Sequence, residues 1–145
     1  GVDFSRNALL SCIAHHSIPL VQADVLHLPF RDGSVDGISA SHILGHLDAA
    51  SRSRAAAEAE RVLRKDGLLY VSVFGERDMR YGKGVEVKER TFRKGNGIAC
   101  HYFIEGEVES LFPRFKVLRS WERELVKRYN GRVMVRQERR SLLQK

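Results

Sequence analysis

Apolar residues follow two different periodicities along the first half of the chain. Within residues 6–16 they recur at the spacing of one helical face, and Ser5 stands where an N-cap is expected. Short apolar runs follow at residues 19–24 and 34–41, on either side of the turn signal Asp32-Gly33. These two runs lack strict alternation, which is typical of parallel strands that are buried on both faces. The pattern predicts one amphipathic helix followed by two buried parallel strands.

A second helix and a further strand are expected next. Residues 48–64 are rich in Ala, Glu and Arg, which favour helices, and Asp48 can cap their start. Lys65-Asp66-Gly67 ends this helix, and the apolar segment "LLYVSVF", residues 68–74, predicts a strand. Strands that alternate with helices in this way favour a mostly parallel sheet with helices packed over it and right-handed crossovers.

The remainder of the chain predicts a loop-rich segment, a short helix and a hairpin. Residues 75–100 show no clear periodicity and contain five of the 12 glycines, so we expect an irregular stretch that is a lid, a binding loop or disordered. The segment "IEGEVESLF", residues 104–112, predicts a short helix. Residues 115–126 and 128–138 predict two strands around Asn130-Gly131, a strong hairpin signal.

Length and composition favour a single domain that spans residues 1–145. The hydrophobic fraction of 43% and the charged fraction of 30% are those of a globular protein, and no apolar run approaches the ~20 residues that cross a bilayer. We therefore expect no membrane partner. The chain begins without a signal-type segment and has two cysteines, neither at metal-ligand spacing, which favours a reducing cytoplasm and no metal.

The net charge of +7 permits binding to a polyanion. Lys and Arg concentrate in two segments, residues 77–97 and residues 123–145. Ordinary solvated charge is the favoured explanation, and a functional basic surface is the alternative.

The candidate chemistry lies at the ends of the predicted strands. Parallel sheets bind ligands beyond the carboxyl ends of their strands, and Asp3, Asp24 and residues 39–41 all fall at such ends. A carboxylate there can accept hydrogen bonds from both hydroxyls of a ribose, and a second carboxylate one strand away can accept from an adenine amine. The pattern predicts a nucleoside site.

Four segments carry a family resemblance. "GVDFS", "ADVLHLPFRDGSVDGI", "HILGHL" and "RVLRKDGLLYVSVF" resemble, in order and spacing, motifs of class I S-adenosylmethionine-dependent methyltransferases of the type 11 group. The resemblance is close over residues 1–75 and loose beyond. It implies an α/β, Rossmann-like, mostly parallel sheet with helices on both faces, a C-terminal antiparallel hairpin, and S-adenosylmethionine as cofactor. The family's glycine-rich first motif is missing, so we expect the first strand to be absent and the chain to be a fragment.

The resemblance also implies a role for five residues. Asp3 would bind the ribose hydroxyls, and Phe4 would pack against the adenine ring. Asp24 would take the adenine amine, with the backbone of Val25 beside the ring nitrogen. Ala40 would lie beside the methionine portion. No catalytic residue is identified, because a sulfonium is already activated and the protein has mainly to align the acceptor with the methyl group.

Two groups of histidines and aromatic residues have alternative explanations. In the family, "HILGHL" would carry two adjacent histidines toward the substrate, but here the first is Gly45, so His46 is expected to be a surface or packing residue rather than a base. Residues 101–103, His-Tyr-Phe, either face the acceptor pocket or form an aromatic cluster under the lid.

These observations predict methyl transfer from S-adenosylmethionine to a small-molecule acceptor, with residues 76–104 as a substrate-facing lid. One alternative is a methyltransferase that acts on tRNA or another RNA, because "HYFIEGEVESL" is similar to the tail of tRNA wobble-uridine methyltransferases and the basic segments could contact phosphates. The other is a non-catalytic, degenerate domain that binds a partner. The acceptor atom and the oligomeric state are not predicted.

Overall fold

A computed structural model describes the backbone of residues 1–145 and every side chain except that of Tyr129. Within this description the chain forms nine strands, three α-helices and one 3₁₀ turn, Leu44–His46. In chain order the helices and strands are β1 (Val2–Asp3), α1 (Arg6–Ile13), β2 (Val21–Gln22), β3 (Val35–Ser41), α2 (Ala49–Val62), β4 (Leu63–Phe74), β5 (Val85–Lys88), β6 (Thr91–Arg93), β7 (Ala99–His101), α3 (Glu107–Ser110), β8 (Lys116–Tyr129) and β9 (Arg132–Gln144).

The strands form three sheets, which are mixed rather than mostly parallel. β1 and β2 make a parallel pair, β3-β4-β9-β8 make a four-stranded sheet, and β5-β6-β7 make a small antiparallel sheet. Only β1–β2 and β3–β4 pair in parallel among the described strands. The antiparallel character has a simple cause, because the β8–β9 hairpin returns along the sheet and places β9 against β4.

The predicted helix caps and hairpin turn are confirmed. The Ser5 hydroxyl accepts from the Ala8 N–H at 3.3 Å at the start of α1, and the Asp48 carboxylate accepts from Ser51 N–H at 2.8 Å at the start of α2. Between β8 and β9, Asn130 and Gly131 have φ values of 47° and 74°. Two consecutive left-handed residues are what a type I′ turn requires, so the Asn-Gly signal fixes the hairpin register.

The main core lies between one face of the four-stranded sheet and two helices. Leu69, Val71 and Val73 of β4 point to this face, and all are at most 1% exposed. The helices α2 and α3 pack on the same face, since their buried residues belong to one cluster with β4. Three alanines of α2 (Ala55, Ala56 and Ala59) let the helix approach closely. Each fully buried aliphatic side chain contributes about 1.5–3 kcal/mol to folding.

The glycine-rich segment after β4 is more regular than expected. Residues 76–104, the segment predicted to be a lid and named the lid below, contain the antiparallel sheet β5-β6-β7 instead of an irregular loop. Its Phe92, Cys100 and Tyr102 form a second buried cluster with Phe74, the last residue of β4. Strands of three or four residues are too short to show a period, which is why the sequence pattern missed them.

Arg61 of α2 forms hydrogen bonds to the loop that follows β2. Its guanidinium donates to the carbonyls of Leu28 and Phe30 at 3.0 and 2.8 Å, and to the carboxylates of Asp32 and Glu58. Glu58 also accepts from Leu28 N–H at 2.7 Å. The hydrogen bonds from Arg61 lower the pKa of Glu58 to about 2. This network therefore holds the segment that carries Asp24 next to the core.

We expect Glu58→Gln to lower the free energy of unfolding by about 1 kcal/mol at pH 7, as for a partly exposed charge-assisted hydrogen bond. Because the folded pKa of about 2 lies below the ordinary value of 4.5, this stabilisation is present above pH 4.5 and is lost as the pH falls toward 2. Urea unfolding at pH 7 and pH 3 measures it.

The matched control is Glu60→Gln, two residues along α2, where the carboxylate contacts an exposed Arg114 at 2.9 Å. The control should change stability much less than Glu58→Gln, and the difference between the two variants should narrow at pH 3. An equal effect of both substitutions at both pH values would show that Arg61 and Glu58 do not hold the loop.

Candidate nucleoside and acceptor sites

Asp3 and Asp24 lie at the same edge of the β1–β2 pair. Asp3 ends β1 and pairs in parallel register with Gln22, which ends β2. The Ala23 N–H donates to the Asp3 carbonyl at 3.1 Å, so the chain continues the pairing up to the residue before Asp24. The two acids therefore follow adjacent parallel strands, as the sequence predicted.

The two carboxylates share one local geometry. Asp3 Oδ1 accepts from Ser5 N–H at 2.7 Å, and Asp24 Oδ1 accepts from Leu26 N–H at 2.9 Å. Within the described chain, neither Oδ2 atom has a hydrogen-bond partner. Each acid thus stabilises its own turn with one oxygen, which orients the carboxylate, and leaves the other oxygen for a ligand.

The other three predicted residues differ in how they could meet a ligand. Phe4 is 75% exposed, and its carbonyl accepts from the Gln22 side chain at 3.1 Å. Val25 and Ala40 are partly buried, and both side chains pack against the main core. Only the backbones of Val25 and Ala40 are therefore candidates for ligand contact. Phe4 has an aromatic face free in solvent.

Ala40 lies in a different sheet from the two acids. It belongs to β3, and across the described residues no strand pairing joins β1–β2 to the four-stranded sheet. The structure therefore brings Asp3, Phe4 and Asp24 together but does not link them to Ala40 by a strand.

His42 directly follows the carboxyl end of β3. Its position was not predicted from the sequence. Its φ is 60°, a left-handed conformation that is uncommon outside glycine, and its N–H donates to the Ser72 carbonyl at 2.7 Å. The ring stacks on Phe74, with centroids 4.0 Å apart and planes at 8°. Burial lowers the pKa of His42, against the opposing effect of Glu138. Burial thus disfavours the charged imidazole at the carboxyl end of β3.

A buried carboxylate organises two arginines beside His42. The Asp78 side chain is fully buried, and its oxygens accept from Arg80 Nε at 3.0 Å and Arg136 Nε at 2.9 Å. Both guanidinium groups lie over the Phe74 ring, 3.9 and 4.6 Å from its centroid. No sequence signal could have joined Asp78 to Arg136, since they are 58 residues apart and belong to different predicted elements.

The turn after β3 contacts the lid. His46 Nδ1 lies 3.0 Å from the Ala99 carbonyl of β7. A side chain at Gly45 would place its Cβ 3.2 Å from the His101 carbonyl, so only glycine permits this close approach without a shift. Packing therefore explains the glycine in place of the first of two adjacent histidines, and His46 contacts the lid.

His101 joins the lid to α3 and is closed to a ligand. Its ring nitrogens lie 2.8 Å from Thr91 Oγ1 and 2.7 Å from Glu107 Oε1, and its side chain is 4% exposed. Although burial acts to raise it, hydrogen bonds from His101 and Ile104 N–H hold the pKa of Glu107 below its usual value. Tyr102 and Phe103 are also buried, Tyr102 in the cluster under the lid and Phe103 in the main core, so residues 101–103 are packing residues.

A cleft of about 180 Å³ lies elsewhere, between α3 and the β8–β9 strands, and contains none of the predicted site residues. Among the described side chains, no group of three His, Cys, Asp or Glu is placed to hold a metal ion. None of the helices described here has the length and apolar character to span a bilayer.

Comparison with known proteins finds similarity to methyltransferases. Residues 1–71 match the family model described as a methyltransferase domain. Over 125 residues the chain is 30% identical to a protein of Encephalitozoon cuniculi that is named as a methyltransferase. That alignment covers 84% of this chain but only 55% of the relative, so the chain spans about half the length of the curated protein it matches.

Solved structures share the fold. An S-adenosylmethionine-dependent methyltransferase from Methanosarcina mazei superposes with a TM-score of 0.78 at 23% identity, over 100% of this chain and 80% of that chain. A 1,6-didemethyltoxoflavin-N1-methyltransferase from Burkholderia thailandensis, which binds 1,6-didemethyltoxoflavin and S-adenosylhomocysteine, gives 0.68 at 19% identity, over 99% of this chain and 59% of that chain. Residues 1–71 are thus similar to a methyltransferase domain, and the chain shares the fold of S-adenosylmethionine-dependent methyltransferases.

Proposed function

We propose that this chain carries part of an S-adenosylmethionine-dependent methyltransferase and that its β1–β2 edge binds the nucleoside of the cofactor. The observation that carries the proposal is the matched pair Asp3 and Asp24, each with one carboxylate oxygen fixed by its turn and the other free. Asp3 would accept from the ribose hydroxyls and Asp24 from the adenine amine. Phe4, Val25 and Ala40 would complete the site as an aromatic wall and two backbone contacts.

The chain's contribution to methyl transfer would be binding and alignment. The cofactor supplies a methyl group that its sulfonium already activates. Residues beyond the carboxyl ends of β3 and β4, covered by the lid, would exclude water and hold the acceptor in line with that methyl. A small molecule is the favoured acceptor, and the substrate bound to the B. thailandensis neighbour supports this choice.

The Rossmann-like arrangement would be completed by a strand between β1 and β3. In the described part of the chain these two strands are paired on one side only. Apolar residues beside them are exposed, such as Leu10 at 48% and Ile13 at 59%. A further strand and its glycine-rich turn would cover them and cradle the methionine portion. We also propose a cytoplasmic location, in keeping with two free cysteines.

An RNA acceptor is the second candidate, and the shape of the hairpin favours it. β9 pairs with β4 only from Glu138 onward, so residues 124–137 project beyond the carboxyl edge of the sheet. This arm carries Lys127, Arg128 and Arg132 in exposed positions near its tip. A cationic arm beside the acceptor edge could follow a phosphate backbone.

We expect Asp24→Asn and Asp3→Asn to weaken the binding of S-adenosylhomocysteine about 5- to 150-fold each, because each removes a charged acceptor worth about 1–3 kcal/mol. Calorimetric titration into the folded chain measures the effect. Asp36→Asn is the control, since Asp36 is exposed at the opposite end of β3 and contacts Arg64.

Equal affinities of all three variants and the parent would contradict the nucleoside site. If the 145-residue chain binds no S-adenosylhomocysteine at all, the titration is repeated on a longer form that supplies the strand between β1 and β3. Failure of that form as well would favour the non-catalytic alternative.

The RNA candidate makes a separate prediction about salt. If the arm contacts phosphates, binding of a labelled RNA hairpin should weaken steeply with ionic strength, and Lys127→Gln or Arg132→Gln should reduce the salt slope by about 1 each. Fluorescence anisotropy at several salt concentrations measures this. Arg114→Gln, which removes an exposed arginine on another surface, should leave the slope unchanged. Binding without salt dependence would exclude the arm as a phosphate contact.

A further inference from the structure

Two buried polar atoms without a partner belong to residues that contact the Phe74 ring. Among the described side chains, three buried nitrogen atoms make no hydrogen bond, and two of them are His42 Nδ1 and Arg80 Nη2. Both residues flank the Phe74 ring, His42 by stacking and Arg80 through its guanidinium. Buried donors and acceptors are almost always paired, so the unpartnered Arg80 Nη2 points to a group that completes it.

The cluster has a surplus of positive charge. Arg80, Arg136 and Arg140 face it, against the carboxylates of Asp78 and Glu138. Three cations and two anions leave one positive charge, apart from His42. Glu138 is engaged with Arg140 at 2.5 Å and lies 3.6 Å from His42 Nε2. Every acid at the site thus already has an arginine, and the surplus has no counter-charge in the described chain.

The terminal nitrogens of both arginines make no hydrogen bond to the described chain. Asp78 binds the Nε atoms of Arg80 and Arg136, not their terminal nitrogens. Stacking on Phe74 fixes both planes, and the side chains are only 26% and 21% exposed. Pre-oriented, partly desolvated guanidinium groups suit a planar carboxylate or a phosphate, which accept two parallel hydrogen bonds.

We infer that Arg80 and Arg136, held by Asp78 over Phe74 and next to His42, form a binding site for an anionic group of the methyl acceptor, either a carboxylate or a phosphate. We call these residues the arginine clip. The clip lies beyond the carboxyl ends of β3 and β4, and the Phe74 ring packs under the lid. Its assignment to the acceptor rests on the proposed function, whereas anion binding itself does not.

The test uses inorganic phosphate and acetate as probes, titrated into the folded chain at constant ionic strength and followed by two-dimensional amide NMR. Saturable shifts at residues 74–80 and at His42 are expected for the anion that fits. Saturation by phosphate alone assigns a phosphate group, and saturation by acetate assigns a carboxylate. Arg80→Gln should weaken binding about tenfold or more, as for one charge-assisted hydrogen bond.

The control is Arg114→Gln, which removes the same charge from an exposed arginine on another surface and should leave anion affinity unchanged. If Arg80→Gln does not fold, Arg80→Lys preserves the charge and loses the fork, and it should still weaken binding. No saturable binding of either probe, or equal losses in variant and control, would mean that the cluster only anchors the hairpin and would overturn the inference.

Titration of S-adenosylhomocysteine into the same proteins separates this inference from the proposed function. Arg80→Gln should bind it like the parent, because the clip is distinct from Asp3 and Asp24. Anion binding without S-adenosylhomocysteine binding would support the clip as an anion-binding site. It would contradict the assignment of that anion to a methyl acceptor.

Discussion

The alternation of side chains along β4 is the constraint on which the rest of the structure depends. Leu69, Val71 and Val73 point toward α2 and α3 and form the main core, whereas Phe74 joins the lid cluster. β4 therefore contributes side chains to two separate hydrophobic clusters, because successive residues of a strand point to opposite faces. A shift of β4 by one residue would exchange these faces and lose the core and the lid contact together. The parallel pairing with β3 and the antiparallel pairing with β9 hold that register from both sides.

Local signals predicted the elements well because their causes are local. Ser5, Asp48 and Asn130-Gly131 each act within a few residues, through a cap or a turn, and each behaves as its chemistry requires. The acids at the ends of β1 and β2 could also be predicted, because a strand followed by an acid is visible in the sequence. Their use of one oxygen for the turn is the structural detail that a sequence does not show.

The parts that could not be predicted depend on long-range contacts. The insertion of β9 beside β4 makes the sheet mixed, and nothing in a run of apolar residues specifies its partner strand. Arg61 reaches carbonyls some 30 residues away, and Asp78 joins two arginines from different elements. His42 was overlooked because the family pattern draws attention to the neighbouring Ala40 and His46. Only its left-handed backbone and its stacking on Phe74 reveal its position.

The location of the charged side chains explains more about this chain than its net charge does. Around Phe74 and at Glu58, arginines are bound to partly or fully buried carboxylates, and there they fix loops and strands rather than generate a long-range field. Lys127, Arg128 and Arg132 on the projecting arm are exposed to solvent instead. The basic residues thus include a set paired with carboxylates around Phe74 and an exposed set on the arm. Because exposed charges are screened by salt and desolvated ones much less, the two sets can be separated by ionic strength alone. An anionic acceptor held by the inner set would keep its affinity in salt that abolishes contacts with the outer one.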